Sequence, residues 1–464
     1  MTTVPAGTPR PPRCIIVLYG VFCGLLSGAI FFASAPALFA APPQNPSQYT
    51  GPGSCSSTSC HGSVQPRADT RIFQNEYSIW AVKDKHAKAY EALTGEVGQR
   101  MGRILGLGKS QEAAQCLACH ALNPPASARA RTFEANEGVT CESCHGPGSA
   151  WLGGHTTREW THEKSVAAGM TDTRNLTRRT EKCLSCHLGT QEQFVDHAMI
   201  AAGHPDLYFE LDSFSAVMPR HWKTPRESAP GVVEQSPQND PWVSVREWAA
   251  GQAVQLRASM ERLAWRARGK NWPEYSELEC EACHHALTAP EQSWRQQRGY
   301  PGRRPGDPPW NGSRHAVFGE LAQLVDRDAS ARLDEQLAQL ARSLSQLNPD
   351  RDAVGAAAQA AASIASQLGA RIELQPYDAA TTMRLLQRIS GNADEVAGQG
   401  ERAAEQAAMA LDSLFLAYSR NTQAANAPQV RAAISALFQQ LENPSSYNPA
   451  NFAAQMRKVN SLLR

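Results

Sequence analysis

Two hydrophobic patterns divide the chain. Beyond about residue 316, apolar side chains recur at the i, i+4, i+7 spacing of one helix face. Leu333, Leu337, Leu340, Leu344 and Leu347 form one stripe, Val430, Ile434, Leu437 and Leu441 a second, and Phe452, Met456, Val459 and Leu462 a third. The breakers "NPD", "QPYD" and "NPSSYNP" separate these stripes. They predict about five or six helices packed as an antiparallel bundle over residues 316–464. Residues 48–300 read differently. They are rich in Gly, Pro and Trp, with short helix signals, no run of alternating strands and little aliphatic material for a core. One helix is expected in "YSIWAVKDKHAKAYEAL", where His86, Tyr90, Leu93 and Val97 share a stripe. Between the halves, "RGYPGRRPGDPPWNGS" (residues 298–313) marks a Pro/Gly-rich linker. The fold class is therefore mostly α: short helices and long loops, then a helical bundle.

The cysteines change this picture. Of 12, Cys14 and Cys23 lie in an apolar N-terminal stretch, and the other ten form five pairs. The pairs are Cys55/Cys60, Cys116/Cys119, Cys141/Cys144, Cys183/Cys186 and Cys280/Cys283, each followed at once by a histidine: His61, His120, His145, His187 and His284. Histidine is 13 of 464 residues, so five such neighbours by chance have a probability on the order of 10⁻⁸, and the pattern is the c-type haem attachment signature. In a helical turn, positions i and i+3 share a face, so both thiols reach the vinyl groups of one porphyrin. The histidine at i+4 projects from that face toward the iron. The first pair has four residues between its cysteines, so its loop must bulge. A zinc ribbon suits Cys116/Cys119 and Cys141/Cys144 by spacing, and disulfides suit an exported chain, but neither accounts for five adjacent histidines. Five covalently attached haem c groups would supply much of the interior that residues 48–300 lack.

Arg10 and Arg13 precede the apolar run "CIIVLYGVFCGLLSGAIFFASAPALFA". Residues 1–40 read as a secretory signal peptide cleaved after Ala40, or as an uncleaved N-terminal membrane anchor. Either reading places the remainder outside the cytoplasm, in the periplasm or its equivalent. Net charge is +1 with mixed signs throughout, which gives no nucleic-acid surface.

Eight histidines lie outside the motifs: His86, His155, His162, His197, His204, His221, His285 and His315. Five are candidates for the second axial position of an iron. His86 lies on an apolar stripe, where an imidazole needs a partner. His155 follows a glycine-rich reversal, His204 precedes proline and has a fixed aim, and His221 sits beside Trp222. His285 adjoins His284 but points about 100° away on a helix, so it would serve a neighbouring haem.

The order of the motifs resembles the cytochrome c-552/4 family of tetrahaem electron carriers (the cytochrome c-554 type). The similarity runs over about Ser54 to Gly189, through "W…HAKA", "CLACH", "GVTCESCHGPG…H" and "EKCLSCH". The resemblance implies a haem-packed, mostly helical fold in which His86 serves the fourth haem and His155 the first. In those relatives the second haem keeps its distal side open; the corresponding haem here hangs on His120, and the larger supply of histidines keeps that feature from carrying over. This chain departs from the family in its longer first motif, its fifth motif and its helical half.

The expected function is that of an exported pentahaem cytochrome carrying electrons between redox partner proteins, or from a quinol-oxidising complex. The alternative is a haem enzyme, an oxidoreductase reducing or oxidising a small nitrogen or sulfur compound at one open iron. No CxxCK motif occurs, and no spare histidine lies within twenty residues of "CLACH". The helical half reads as a scaffold or docking domain. Intact mass with a pyridine haemochrome assay should give five haems per mature chain; a count of four would remove the site at Cys55 and Cys60.

Overall fold

A computed structural model describes residues 47–464 except 71, 224–239, 281–282, 285–309, 347 and 444–445. The leader (1–40), most of the linker, Leu347 and His285 lie outside the described residues. Among those described, the chain is helical with no strands, only isolated bridges at Tyr49–Arg129 and Leu278–Trp310.

The first part consists of short helices: α1 (Glu76–Lys83), α2 (Ala89–Thr94), α3 (Glu96–Ile104), α4 (Ala114–His120), α5 (Cys141–His145), α6 (His162–Ala167), α7 (Leu176–His187), α8 (His197–Ala201) and α9 (Leu211–Val217). The single helix expected around His86 is instead α1, a 3-10 turn (Lys85–Lys88) and α2. Asp84 breaks it: its backbone is extended, and its carboxylate accepts from the His86 N–H at 2.9 Å. The stripe therefore ends early, with Leu93 buried and Val97 exposed.

This part holds little apolar core. Between residues 47 and 223 only ten apolar side chains are buried, from Leu93 to Leu211. Too few for the length, they leave the interior to be completed by other groups.

The second part begins with α10 (Val243–Arg268), followed by α11 (Ser313–Ala316), α12 (Phe318–Val325), α13 (Arg327–Leu344), α14 (Arg351–Leu374), α15 (Ala379–Gly391), α16 (Ala393–Gly398), α17 (Glu401–Thr422), α18 (Ala427–Gln439) and α19 (Pro449–Leu462). The predicted stripes lie inside: Leu333, Leu337, Leu340 and Leu344, then Val430, Ile434 and Leu437, then Phe452, Met456 and Val459 are all buried.

The sequence division assigned α10 to the cysteine-rich half, but its packing joins both. Trp248, Leu256, Met260 and Leu263 enter the bundle core together with Leu368 and Ile372 of α14. On another face, Val254 packs with Leu184, Leu188, Phe209 and Leu211. Alanines at the contact (Ala253 and Ala264 on α10, Ala361 and Ala365 on α14) let the two axes approach closely. Gly251 is needed for the same reason, since a Cβ there would stand 2.7 Å from Leu211 Cβ. Buried on several faces, α10 is the wall between the two parts.

A fragment of residues 316–464 lacks this wall, so α14 would expose its apolar face. Calorimetry of the isolated fragment should show no cooperative melt, and Leu256→Ala in the whole chain should cost about 2–5 kcal/mol. A sharp melt of the fragment would make α10 dispensable.

Candidate haem centres

Four of the five motifs sit on helical turns. Cys116/Cys119, Cys141/Cys144 and Cys183/Cys186 lie on α4, α5 and α7. The fifth, Cys280/Cys283, is a single turn: the Cys283 N–H donates to Cys280 O at 3.2 Å, and the His284 N–H donates to the same oxygen at 2.9 Å. The first motif bulges as its spacing requires: Cys60 N donates to Ser57 O at 2.9 Å, and His61 N returns to Cys55 O at 3.2 Å. None of the ten described cysteines is in a disulfide.

The thiols of Cys280 and Cys283 in the fifth motif are exposed, as is that of Cys144 in the third.

Four motif histidines face a second imidazole. Ring centres are 6.1 Å apart for His61 and His155, 6.2 Å for His86 and His187, 6.3 Å for His120 and His204, and 6.1 Å for His197 and His284. A metal–imidazole bond is about 2.0–2.1 Å and a ring nitrogen lies about 1.1 Å from its ring centre, so two imidazoles on one metal have centres about 6.3 Å apart. The four spacings fit that value. His145 of the third motif lies near two imidazoles: burial first, then His221 and His61, push it down to about 4. Among the described residues no three or more His, Cys, Asp or Glu converge as a metal cage. Imidazoles in twos leave the equatorial positions to a porphyrin.

The Nδ1 bonds agree. His61 Nδ1 meets Glu76 at 2.9 Å, His86 Nδ1 meets Asp84 at 2.9 Å, and His120 Nδ1 meets Ala89 O at 2.9 Å. His155 Nδ1 meets Leu152 O at 2.7 Å, His204 Nδ1 meets Pro205 O at 2.7 Å, and His221 Nδ1 meets Pro219 O at 3.2 Å. A bond at Nδ1 fixes the ring and directs Nε2 toward a metal. His162 and His315 do the reverse, with Nε2 on Asp172 at 3.0 Å and on Asp334 at 3.2 Å. These two are structural.

Local chemistry holds the motifs in place. Glu142, inside the third motif, accepts from Thr50 N, Gly51 N and Gly148 N at 2.6–2.9 Å. The loop "CHGPG" thereby clamps onto the segment before the first motif. Gly148 has no room for a side chain, because a Cβ would lie 2.9 Å from Glu142 Oε1. Around the fifth motif, Arg262 of α10 grips Glu277 with two bonds of 2.8 and 3.0 Å, and Arg266 adds a third of 2.6 Å. Burial would raise the Glu277 carboxyl, but the two guanidiniums outweigh it and hold it below its usual range. The same arginines donate to Leu188 O at 2.7 Å and Val195 O at 2.9 Å. One buried ion cluster thus ties the approach to Cys280 and Cys283 to the segment after the fourth motif.

Comparison with known proteins agrees with these sites. The family model "Cytochrome c554 and c-prime" matches residues 55–146. Cytochrome c-554 of Nitrosomonas europaea is 30% identical over 183 residues, covering 36% of this chain and 68% of that protein. The chain belongs to the cytochrome c-554 family. No solved structure matches it.

As a member of this family the chain is a c-type cytochrome that binds haem c covalently. The imidazole of His204, one of the candidates for a second axial position, stands at axial spacing from His120. One ligand candidate escaped the sequence reading. His197 was counted among the spare histidines but not chosen, and it is His197 that faces His284. The usable signal was "DHAMIA", an Asp N-cap that places His197 at the first position of a helix.

The motifs also neighbour one another in an order unlike that of the chain. The Cys55 thiol bonds the Cys141 thiol, which lowers the first and raises the second. Burial and then the Cys183 thiol push Cys144 up to about 12, and the Cys119 thiol holds Cys186 down to about 7. The first motif therefore abuts the third, the third the fourth, and the fourth the second.

Replacing Asp84 by Asn removes an anion from the imidazole of His86. The midpoint potential of one haem in a spectropotentiometric titration should rise by about 60 mV, the one-electron equivalent of a tenfold change. The component of the third-motif haem should move by less, because Asp84 also acts on His221 and on Cys144.

Proposed function

We propose that this cytochrome is an exported pentahaem electron carrier. The observation that supports it is the pairing of imidazoles: His61, His120, His187 and His284 each face a second imidazole at axial spacing, and His145 has His221 nearby. Five such pairs, with His221 serving His145, would leave no iron face for a substrate. Bound haem supplies a one-electron iron couple, and the polypeptide supplies the rest. It holds the ten thiols and ten imidazoles, sets rings by their Nδ1 partners, and braces the later sites against α10.

Two further features support the reading. The first four motifs adjoin one another, which suits transfer between neighbouring haems. Arg10 and Arg13 before an apolar run suit export, which covalent haem attachment needs. Among the described residues no helix is long and apolar enough to cross a membrane. The electron donor and acceptor would be redox proteins or a quinol-oxidising complex. The exposed pair Cys280/Cys283 gives the fifth haem an edge that such a partner could approach. The bundle built on α10 serves as the scaffold.

Electron paramagnetic resonance of the oxidised protein should show only low-spin iron, and the reduced protein should not bind carbon monoxide. A high-spin signal that vanishes on replacing His120 would instead favour an enzyme acting on a small nitrogen or sulfur compound at that iron.

A further inference from the structure

We infer that α8 is a ligand strut shared by two irons: His197 at its first position serves the fifth motif, and His204 just beyond its last turn serves the second. The added fifth haem then joins the other four at the second-motif haem, as the end of the line. The inference rests on the proposed pentahaem reading and goes beyond it.

The helix is short and firmly held. Asp196 caps it, accepting from Met199 N at 2.8 Å, and His197 N donates to Glu274 Oε1 at 2.9 Å. Glu274 opens the turn that leads into the fifth motif, so this bond sets His197 against His284. At the other end His204 N donates to Met199 O at 3.0 Å, folding the residue back on the helix. Gly203 makes that reversal with φ +113°, a conformation side chains disfavour. Met199 and Ala202 are buried between the two histidines, which anchors the strut.

Both target motifs are tied to the same segment. Gln193 Nε2, just before α8, donates to Ala118 O within the second motif. Arg266 joins Val195 O to Glu277 in the approach to the fifth. Asp206, two residues after His204, pairs with Arg402 Nε at 3.2 Å and acts electrostatically on both His204 and Cys280. One stretch of chain therefore touches both sites. A single segment thus closes the second iron and ligates the fifth.

The test uses the full haem-loaded protein with His197→Ala, His204→Ala and the double variant, checked for five haems by intact mass. Each single variant should gain one high-spin iron, bind one carbon monoxide more than the parent, and return to low spin with added imidazole. In the double variant the two high-spin signals should broaden and relax faster than the sum of the singles, because the irons are neighbours. A single variant that gains no carbon monoxide site, or a double variant whose signals add as independent centres, overturns the strut. If an alanine variant loses haem, His197→Met and His204→Met retain a ligand. Each should raise one component of the redox titration, and no movement overturns the assignment. A parent protein that already binds carbon monoxide counts against the carrier reading alone, since the strut is judged by the increment.

Discussion

Facing imidazoles held 6.1–6.3 Å apart are the constraint on which the cysteine-rich part depends. Buried imidazoles need partners, and apolar packing alone gives them none. The chain meets this by binding Nδ1 atoms to carboxylates or carbonyls and directing Nε2 at one metal position. Short helices then suffice, because each has only to present two thiols and a ring, not to build a core. The scarcity of buried apolar side chains before residue 223 follows from the same arrangement.

Rigidity comes from elsewhere. Helix α10 is buried on several faces, with Trp248 and Leu263 in the bundle and Val254 against Leu184 and Phe209. Its polar contribution is as important as its apolar one. Arg262 and Arg266 share the buried Glu277 and reach the carbonyls of Leu188 and Val195. Removing one member of such a cluster would strand a buried charge. The helical half is thus the support against which the fourth and fifth motifs are positioned.

Much of the local structure was legible in the residues. The leucine stripe from Leu333 to Leu344 is buried as its spacing required. Three of the four short motifs lie on helices, and Cys280/Cys283 lies on a single turn. What failed locally has a physical cause in each case. Asp84 caps the His86 N–H and divides a helix that periodicity had drawn as continuous. The role of α10 was hidden for a different reason. Its buried positions include Gln252, Gln255 and Arg266 among apolar ones, so no single apolar stripe announces which half it belongs to.

The sequence by itself determined the chemistry that needs only neighbours. Two thiols and a histidine within one turn specify covalent haem and its first axial ligand, whatever the rest of the chain does. The second ligand was decided by tertiary structure alone. His204 meets His120 across more than eighty residues, and His197, not the adjacent His285, faces His284. An axial partner must approach from the opposite side of a flat ring, so it comes from a distant segment, and no local spacing encodes which one arrives.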